Sequence, residues 1–254
     1  MKIINTKHGL FLISNPHETI QRQLTNSGQF EYHLVDLAIR LISKTKGVIV
    51  DVGANIGTFT IPVALNYPTR EIVSFEPQRT VFHHLAANIC LNKLTNVITY
   101  RAVISDDDGK QIEVPFFDFN ERFTGSVSLD ESTVAKRSKI AGVAEPRTYA
   151  ERFDRLKAVR LDDVVNEKVC LLKVDVEGME LSVLKSAERI LRRDAPIIIY
   201  ETWNLPQFEL ENSQIYEYLA SVGYLNYKLG NDTIACHKDD VQGKESIEEA
   251  LGYE

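Results

Sequence analysis

The stretch Val48-Ile49-Val50-Asp51-Val52-Gly53-Ala54-Asn55-Ile56-Gly57-Thr58-Phe59-Thr60 decides the fold. An apolar run ends in an acid, glycines follow at 53 and 57 around an asparagine, and a segment able to form a helix comes next. This is a buried strand entering a tight turn at a helix N-terminus, the place where an open α/β sheet binds nucleotide-like ligands. The acid selects among such ligands. A pyrophosphate prefers glycine amides with no carboxylate nearby, whereas a ligand carrying an ammonium, a sulfonium and ribose hydroxyls is attracted to Asp51. S-adenosylmethionine (SAM) carries those groups. The turn also departs from the G-x-G-x-x-G dinucleotide pattern, which places NAD last among the candidates.

Outward from this stretch the pattern repeats. A helix is expected over roughly 56–66, with Pro62 in or near its first turn. Glu71–Phe75 reads as a second strand ending at Glu76-Pro77, and Val81, Phe82, Leu85 and Ile89 mark the next helix. A third strand is expected at Val97–Tyr100, running on toward Val103-Ile104. Asp107-Asp108-Gly109 signals a turn and Gln111–Phe119 is rich in β-formers, so an inserted hairpin is expected there. From about 120 to 158 the chain is polar and weakly periodic, with Lys136, Arg137, Lys139, Arg147, Arg152, Arg155 and Lys157, then Arg160, as its basic concentration. Two readings stand: a solvated surface loop, or a lid that favours anionic acceptors. Val169–Val174 and Ala195–Glu201 read as buried strands flanking a helix with Leu181, Leu184, Ala187, Ile190 and Leu191 on one face. Another helix ends near Gly223, and Tyr224–Lys228 with Thr233–His237 read as a hairpin. The expected fold is α/β and Rossmann-like: a mainly parallel twisted sheet with helices on both faces and a C-terminal antiparallel hairpin. Residues 1–46 read as an accessory segment of a short hairpin and helices, one of them over Leu34–Ile42, that could cover the site; 47–240 read as the domain with an inserted hairpin and loop at about 105–158, and 241–254 as a tail.

Composition narrows the function. The chain has 254 residues, 44% of them hydrophobic, and a formal net charge of −7; its mean hydropathy is −0.17. The acidic balance argues against nucleic-acid or anionic-membrane partners, which need clustered cations. No run of about 18 apolar residues suggests a membrane span. Cys90, Cys170 and Cys236 are widely spaced, without metal-binding spacing, which favours a reduced, cytoplasmic protein. Oligomeric state is not legible.

In a doubly wound sheet the carboxyl ends of the strands form one rim, here carrying Asp51, Glu76, Val103–Ser105, Asp175 and Glu201. Glu76 is placed to accept both ribose hydroxyls, Asn55 to bond a ligand carboxylate, and Asp51 to meet an ammonium directly or through water. The expected SAM-binding set is Asp51, Gly53, Asn55, Gly57, Thr58, Glu76, Pro77, Ala102, Val103 and Asp175. For catalysis the candidates are Asp175, Glu177 and Lys173. Asp175 would contact SAM or the acceptor; Glu177 is either a base or a helix N-cap; Lys173 either neutralises rim acids or forms a buried structural pair. Asp175 with Glu201 and Asn204 could hold Mg²⁺, an arrangement less favoured than a metal-free rim. Trp203 is a sugar-stacking surface or core packing. His33, His83 and His84 read as surface or packing residues.

Several motifs in series carry a resemblance. DVGANIGTFT, FEP at 75–77, the spaced Asn88, Asn92 and Asn96, AVISDDDG at 102–109, TGSVSL at 124–129, RLDDVV at 160–165, LLKVDVEGMELSVLKSA at 171–187 and PIIIYE at 196–201 together resemble the FkbM family of SAM-dependent methyltransferases. The resemblance covers roughly residues 47–202. It implies a class I methyltransferase fold and O-methylation of a small hydroxylated acceptor, typically a sugar or related metabolite. The segment from about 130 to 158 departs from the compact family pattern. Alternatives are an N-methyltransferase and, from another class, a non-catalytic SAM-binding protein.

Overall fold

The chain opens with a hairpin, as its first residues suggest. Lys2–Thr6 (β1) and Gly9–Ile13 (β2) pair antiparallel. Helices Thr19–Ser27 (α1) and Tyr32–Leu41 (α2) follow. The computed structural model describes residues 1–118, 127–140 and 150–252; Phe119, the Thr124-Gly125-Ser126 part of TGSVSL and Arg147 lie outside them. Helix α1 buries only Ile20, Gln21 and Leu24, too few apolar positions for periodicity to announce it.

The βα alternation then begins with Val48–Val52 (β3), Thr60–Asn66 (α3), Ile72–Phe75 (β4), Arg79–Leu91 (α4) and Val97–Tyr100 (β5). Helix α3 starts later than residue 56, and Pro62 falls in its first turn, where a missing N–H costs nothing. The third strand does not run on. Val103–Ile104 (β6) leaves the main sheet and pairs parallel with Phe153–Val159 (β8). Gln111–Pro115 (β7) pairs antiparallel with the same strand, so the expected local hairpin is instead a three-stranded sheet in the order β6-β8-β7. Strand β8 was hidden in the polar stretch because its outward positions are Arg155 and Lys157, while Leu156 and Ala158 alternate inward. Between β7 and β8 lies a short helix, Glu131–Arg137 (α5), whose N-cap Asp130 accepts a bond from the Thr133 amide at 2.7 Å.

The rest completes the main sheet: Leu161–Val164 (α6), Val169–Val174 (β9), Glu180–Ser186 (α7), Glu188–Asp194 (α8), Ile197–Glu201 (β10), Glu209–Ser221 (α9), Tyr224–Leu229 (β11), Asp232–His237 (β12) and Val241–Leu251 (α10). The helix expected after β9 is broken at Ala187 into α7 and α8. The segment expected as a tail forms α10, whose Ile247 is buried with Ile234 and Cys236 of β12.

The sheet order is β11-β12-β10-β9-β3-β4-β5. The pairs from β10 to β5 are parallel, and β12 runs antiparallel to β10. Alternating side chains feed two cores: Val48, Val50 and Val52 point to one, Ile49 to the other, and Ile198 and Tyr200 oppose Ile197 and Ile199 in the same way. Burial on both faces explains why these strands read as unbroken apolar runs. Each such side chain contributes roughly 1.5–3 kcal/mol. Among the described residues no helix is long and apolar enough to cross a membrane.

The asparagine series in and after α4 is a set of backbone clamps. Asn88 Oδ1 accepts from the Leu12 amide (2.8 Å) and its Nδ2 donates to the Ile56 carbonyl (2.9 Å). Asn92 exchanges bonds with Leu10 N–H and C=O (2.8 and 2.7 Å), and His84 Nε2 lies 2.6 Å from the Leu12 oxygen. Asn96 gathers the carbonyls of Ala64, Tyr67 and Arg70. The free edge of β2 is thereby fastened to the helix following β4. Asn88 is fully buried and touches both β2 and the turn after β3. Asn88→Ala should therefore cost about 2–3 kcal/mol in urea unfolding; a loss under about 0.5 kcal/mol would contradict the clamp, since that is the range of surface substitutions.

Candidate active site

The register of three parallel strands builds the site. Asp51 on β3 stands opposite Lys173 on β9 and Ser74 on β4. Because partners in register point to the same face, these polar side chains meet inside the sheet. Asp51 is fully buried and its Oδ2 accepts from Thr60 Oγ1 at 2.6 Å, while Thr60 Oγ1 lies 2.8 Å from Ser74 Oγ. Lys173 Nζ lies 3.8 Å from Asp51 Oδ1 and donates to Asp175 Oδ2 at 3.0 Å. Burial alone would lower the Lys173 pKa, but the Asp175, Asp51 and Glu31 carboxylates outweigh it and hold it above the ordinary lysine value. For Asp51 burial dominates and raises the pKa, against the pull of Lys173 and Thr60. Of the two readings for Lys173, the structure joins both: a buried pair with Asp51 and a neutralising contact to a rim acid.

The turn after β3 closes under strict steric terms. Gly53 has φ +86, and a Cβ there would lie 1.7 Å from the Asp175 carbonyl oxygen. Only glycine lets the two strand ends come this close. The amides of the turn are bonded internally. Gly53 and Ala54 N–H donate to the Phe75 carbonyl, Gly57 N–H to Ala54, Asn55 N–H to Glu76 Oε2 (3.0 Å), and Ile56 N–H to Asn55 Oδ1. No open amide cradle for a phosphate is left at residues 53–57, which agrees with the absence of a dinucleotide pattern.

Those bonds serve Glu76 instead. Its Oε2 takes the Asn55 amide and its Oε1 the Gln78 amide (2.8 Å), which fixes the buried carboxyl in one orientation. Burial pushes its pKa up to about 7 in spite of the two amides. A cleft runs from Glu76 to the end of β9. Of the expected residues, Gly53, Asn55, Thr58, Glu76, Pro77, Ala102, Val103, Lys173, Asp175 and Glu177 line it. Two do not. Asp51 sits beneath the cleft with its carboxylate turned to Thr60 and Lys173, so it does not form part of the cleft wall. Gly57, with φ +96, faces Leu85 and Ile61 and serves packing.

Sequence reasoning passed over three site residues. Glu31 lies against the cleft in a left-handed conformation (φ 46) at the start of α2, and burial raises its pKa to about 7 although Lys173 lowers it. Glu180, the first residue of α7, is buried and accepts the Val176 and Gly178 amides at 3.1 Å. It, rather than Glu177, holds the turn at the helix entrance. A carboxylate opening a helix directly after a glycine turn was the available signal. Glu177 has φ 57 and its Oε2 accepts from Arg137 Nη1 at 2.9 Å. Arg137, on α5, is the third residue.

At the end of β10, Glu201 completes an acid trio: one oxygen each of Asp175, Glu177 and Glu201 lie within 4.8 Å of one another. Glu201 Oε2 is buried without a hydrogen-bond partner among the described residues. Burial, followed by the charges of Glu177 and Asp175, raises the Glu201 pKa well above the usual carboxylate value. Asn204 is exposed. Asp175 and Glu201 of the expected metal set thus stand with Glu177 as three acids, two of which already contact cations of the chain. A second cavity shares Met179 and Glu201 with the first and is lined also by Asp130, Thr133, Trp203 and Glu211. Trp203 lies in that second wall, packed on Phe208 at 4.8 Å between ring centroids, with the Arg137 guanidinium 4.6 Å over its ring. His33 and His83 are exposed and His84 packs, as the sequence suggests. The basic stretch is largely answered by acids: Lys136 pairs with Glu211, Arg152 with Asp118 and Arg155 with Glu113.

Comparison with known proteins places the geometry in a family. A model of the methyltransferase FkbM domain matches residues 51–225. "Methyltransferase sdnD" of Sordaria araneosa is 32% identical over 180 residues, which cover 61% of this chain and 66% of that protein. The "31-O-demethyl-FK506 methyltransferase FkbM" of Streptomyces tacrolimicus is 30% identical over 159 residues, 56% of this chain and 59% of that one. The chain thus spans less than two thirds of the length of these relatives. The crystal structure of "Methyltransferase FkbM" from Methylobacillus flagellatus KT aligns with a TM-score of 0.50 at 16% identity, covering 76% of this chain and 44% of the other, a likeness of fold alone. With the family model matching well over half of its residues, and with the strand-end acids and glycine turn set as described, the chain belongs to the FkbM methyltransferase domain family.

Proposed function

We propose that this chain transfers a methyl group from SAM to a hydroxyl oxygen of a small hydroxylated acceptor, a sugar or a related metabolite. One observation carries the reading: an oriented, buried carboxylate at Glu76 and a rim of acids at the end of β9 and β10 face one cleft, across a turn whose amides are not free for phosphate. The donor set suits SAM. Glu76 would accept the ribose hydroxyls, Pro77, Ala102 and Val103 would flank the adenine, and Asn55 and Thr58 would meet the amino-acid part. Asp175 and Glu31, which line the cleft where Asp51 does not, would take the ammonium. When bound, SAM supplies a methyl group already activated by its sulfonium.

The protein's own work is then to orient an acceptor oxygen and manage its proton. Asp175, held by Lys173, would orient the hydroxyl. Glu201 is the better proton acceptor than Glu177: its pKa is raised by burial and its Oε2 has no donor among the described residues, whereas Arg137 holds Glu177 in an ion pair. The acceptor would approach from the second cavity, which meets the first at Glu201 and Met179. With Lys136 and Arg137 paired to acids, a neutral polyhydroxylated acceptor suits this approach better than an anionic one.

Calorimetry tests the ligand. S-adenosylhomocysteine should bind and NAD should not; the reverse would sink the assignment. Only the ionised Glu76 carboxyl accepts two hydroxyls, and its pKa in the unliganded protein is about 7. Affinity should therefore be full above pH 7 and decline as pH falls through it. Glu76→Gln should weaken binding about 10–100-fold and flatten that profile; a pH-independent wild type would argue against Glu76 as the ribose ligand.

Turnover tests the base. With labelled SAM and a panel of sugars and hydroxylated metabolites, Glu201→Gln should reduce kcat by about 10²–10⁴-fold, with S-adenosylhomocysteine affinity little changed. Glu177→Gln should cost less. Full turnover in Glu201→Gln would remove Glu201 from the proton path.

A further inference from the structure

The acid trio poses an electrostatic problem that the SAM cleft by itself does not solve. Three carboxylates whose oxygens approach within 4.8 Å repel one another unless cations lie among them. Divalent cations are the usual answer for such a group of oxygens. Here two cations of the chain reach the trio from different directions. Lys173 reaches Asp175 from within the sheet at 3.0 Å. Arg137 reaches Glu177 at 2.9 Å from α5, a helix of the insertion.

The seat of Arg137 is built to hold it. The residue is only 4% exposed, which is unusual for a guanidinium and requires a charged partner. Its plane covers the Trp203 ring at 4.6 Å, an arrangement that favours a desolvated cation. The neighbouring Lys136 pairs with Glu211 and sits over Phe208, so the end of α5 is fastened to the wall that carries Trp203. The other side of α5 is fitted to the turn itself: a Cβ on Gly178 (φ +109) would lie 2.4 Å from Thr133 Oγ1. Glu177, directly before that glycine, is in the left-handed region, a strained conformation that persists only when surrounding contacts impose it.

We propose that Arg137 is the built-in counter-cation of this rim: a positioning residue, carried in by α5, that holds Glu177 in its left-handed turn and excludes divalent metal ions from the acid trio. Its bearing on catalysis rests on the methyl-transfer reading above, whereas the charge compensation does not. The insertion that departs from the compact family pattern thereby supplies a part of the rim. Arginine rather than lysine suits the place, because a planar fork can bond Glu177 and stack on Trp203 at once. A lysine would keep the charge and lose the stacking.

The test uses the full chain and two probes, Mn²⁺ as an oxygen-seeking divalent ion and the emission of Trp203, the only tryptophan in the sequence. Wild type should bind Mn²⁺ no better than millimolar by electron paramagnetic resonance, as expected for scattered surface carboxylates. Arg137→Met should bind it at least tenfold more tightly, lose that gain when Glu201→Gln is added, and shift the Trp203 emission. Arg137→Lys should retain the wild-type response to Mn²⁺ with an altered emission. Equal Mn²⁺ affinity in wild type and Arg137→Met, or emission unchanged by that substitution, would overturn the proposal. Should Arg137→Met fail to fold, Glu177→Gln asks the same question from the other partner: release of Arg137 must move the Trp203 emission, and an unmoved spectrum overturns it. S-adenosylhomocysteine binding by the same samples keeps the two claims apart, since its absence in wild type would count against the methyl-transfer reading and leave the Mn²⁺ and emission results to decide the role of Arg137.

Discussion

A buried ammonium organises this molecule. Lys173 stands in register beside Asp51, between two cores of aliphatic side chains, and reaches Asp175 at the strand end. Removing one member of such a buried pair leaves an uncompensated charge, at a typical cost of about 3–5 kcal/mol. The pair therefore ties the glycine turn after β3 to the acid-bearing turn after β9. Gly53 makes the tie possible by letting the Asp175 carbonyl approach where any side chain would collide. The cleft, its floor of charge and its rim of acids all follow from this one cross-strand register.

Around that centre the chain adds walls from far apart in sequence. The N-terminal hairpin is clamped by asparagines of α4, and the start of α2 brings Glu31 to the cleft. The insertion contributes Val127 and Leu129 to the same cleft and sends Arg137 into the acid trio. Charge is distributed with an economy that the low local dielectric requires. Lys173 faces Asp175, Arg137 faces Glu177, and Glu201 is left with a raised affinity for a proton.

What was legible in the sequence were the features with local cause. Apolar runs ending in Asp51, Glu76 and Asp175 announce parallel strands, because both faces of those strands are buried. The glycine turn and its departure from the dinucleotide spacing were readable for the same reason. The misses have non-local causes. Strand β8 is recognised through its partners β6 and β7, which lie far from it in sequence. Asp51 lies beneath the cleft rather than in its wall because of Lys173 and Thr60, which its visible strand-end position does not announce. Of the two readings of Glu177, base or cap, the capping one is filled by Glu180, which holds the turn amides from three residues further on. Arg137 belonged to a basic stretch with no pattern, and its importance comes only from the acids and the tryptophan it meets in space.

The account stands most directly on where the nucleoside of the methyl donor lies. A crystal structure of the complex with S-adenosylhomocysteine measures this. The account predicts both ribose hydroxyls on Glu76, the amino-acid part between the glycine turn and Asp175, and the sulfur turned toward Asp175 and Glu201. A ribose bound away from Glu76, or a sulfur directed away from the acid trio, would contradict it.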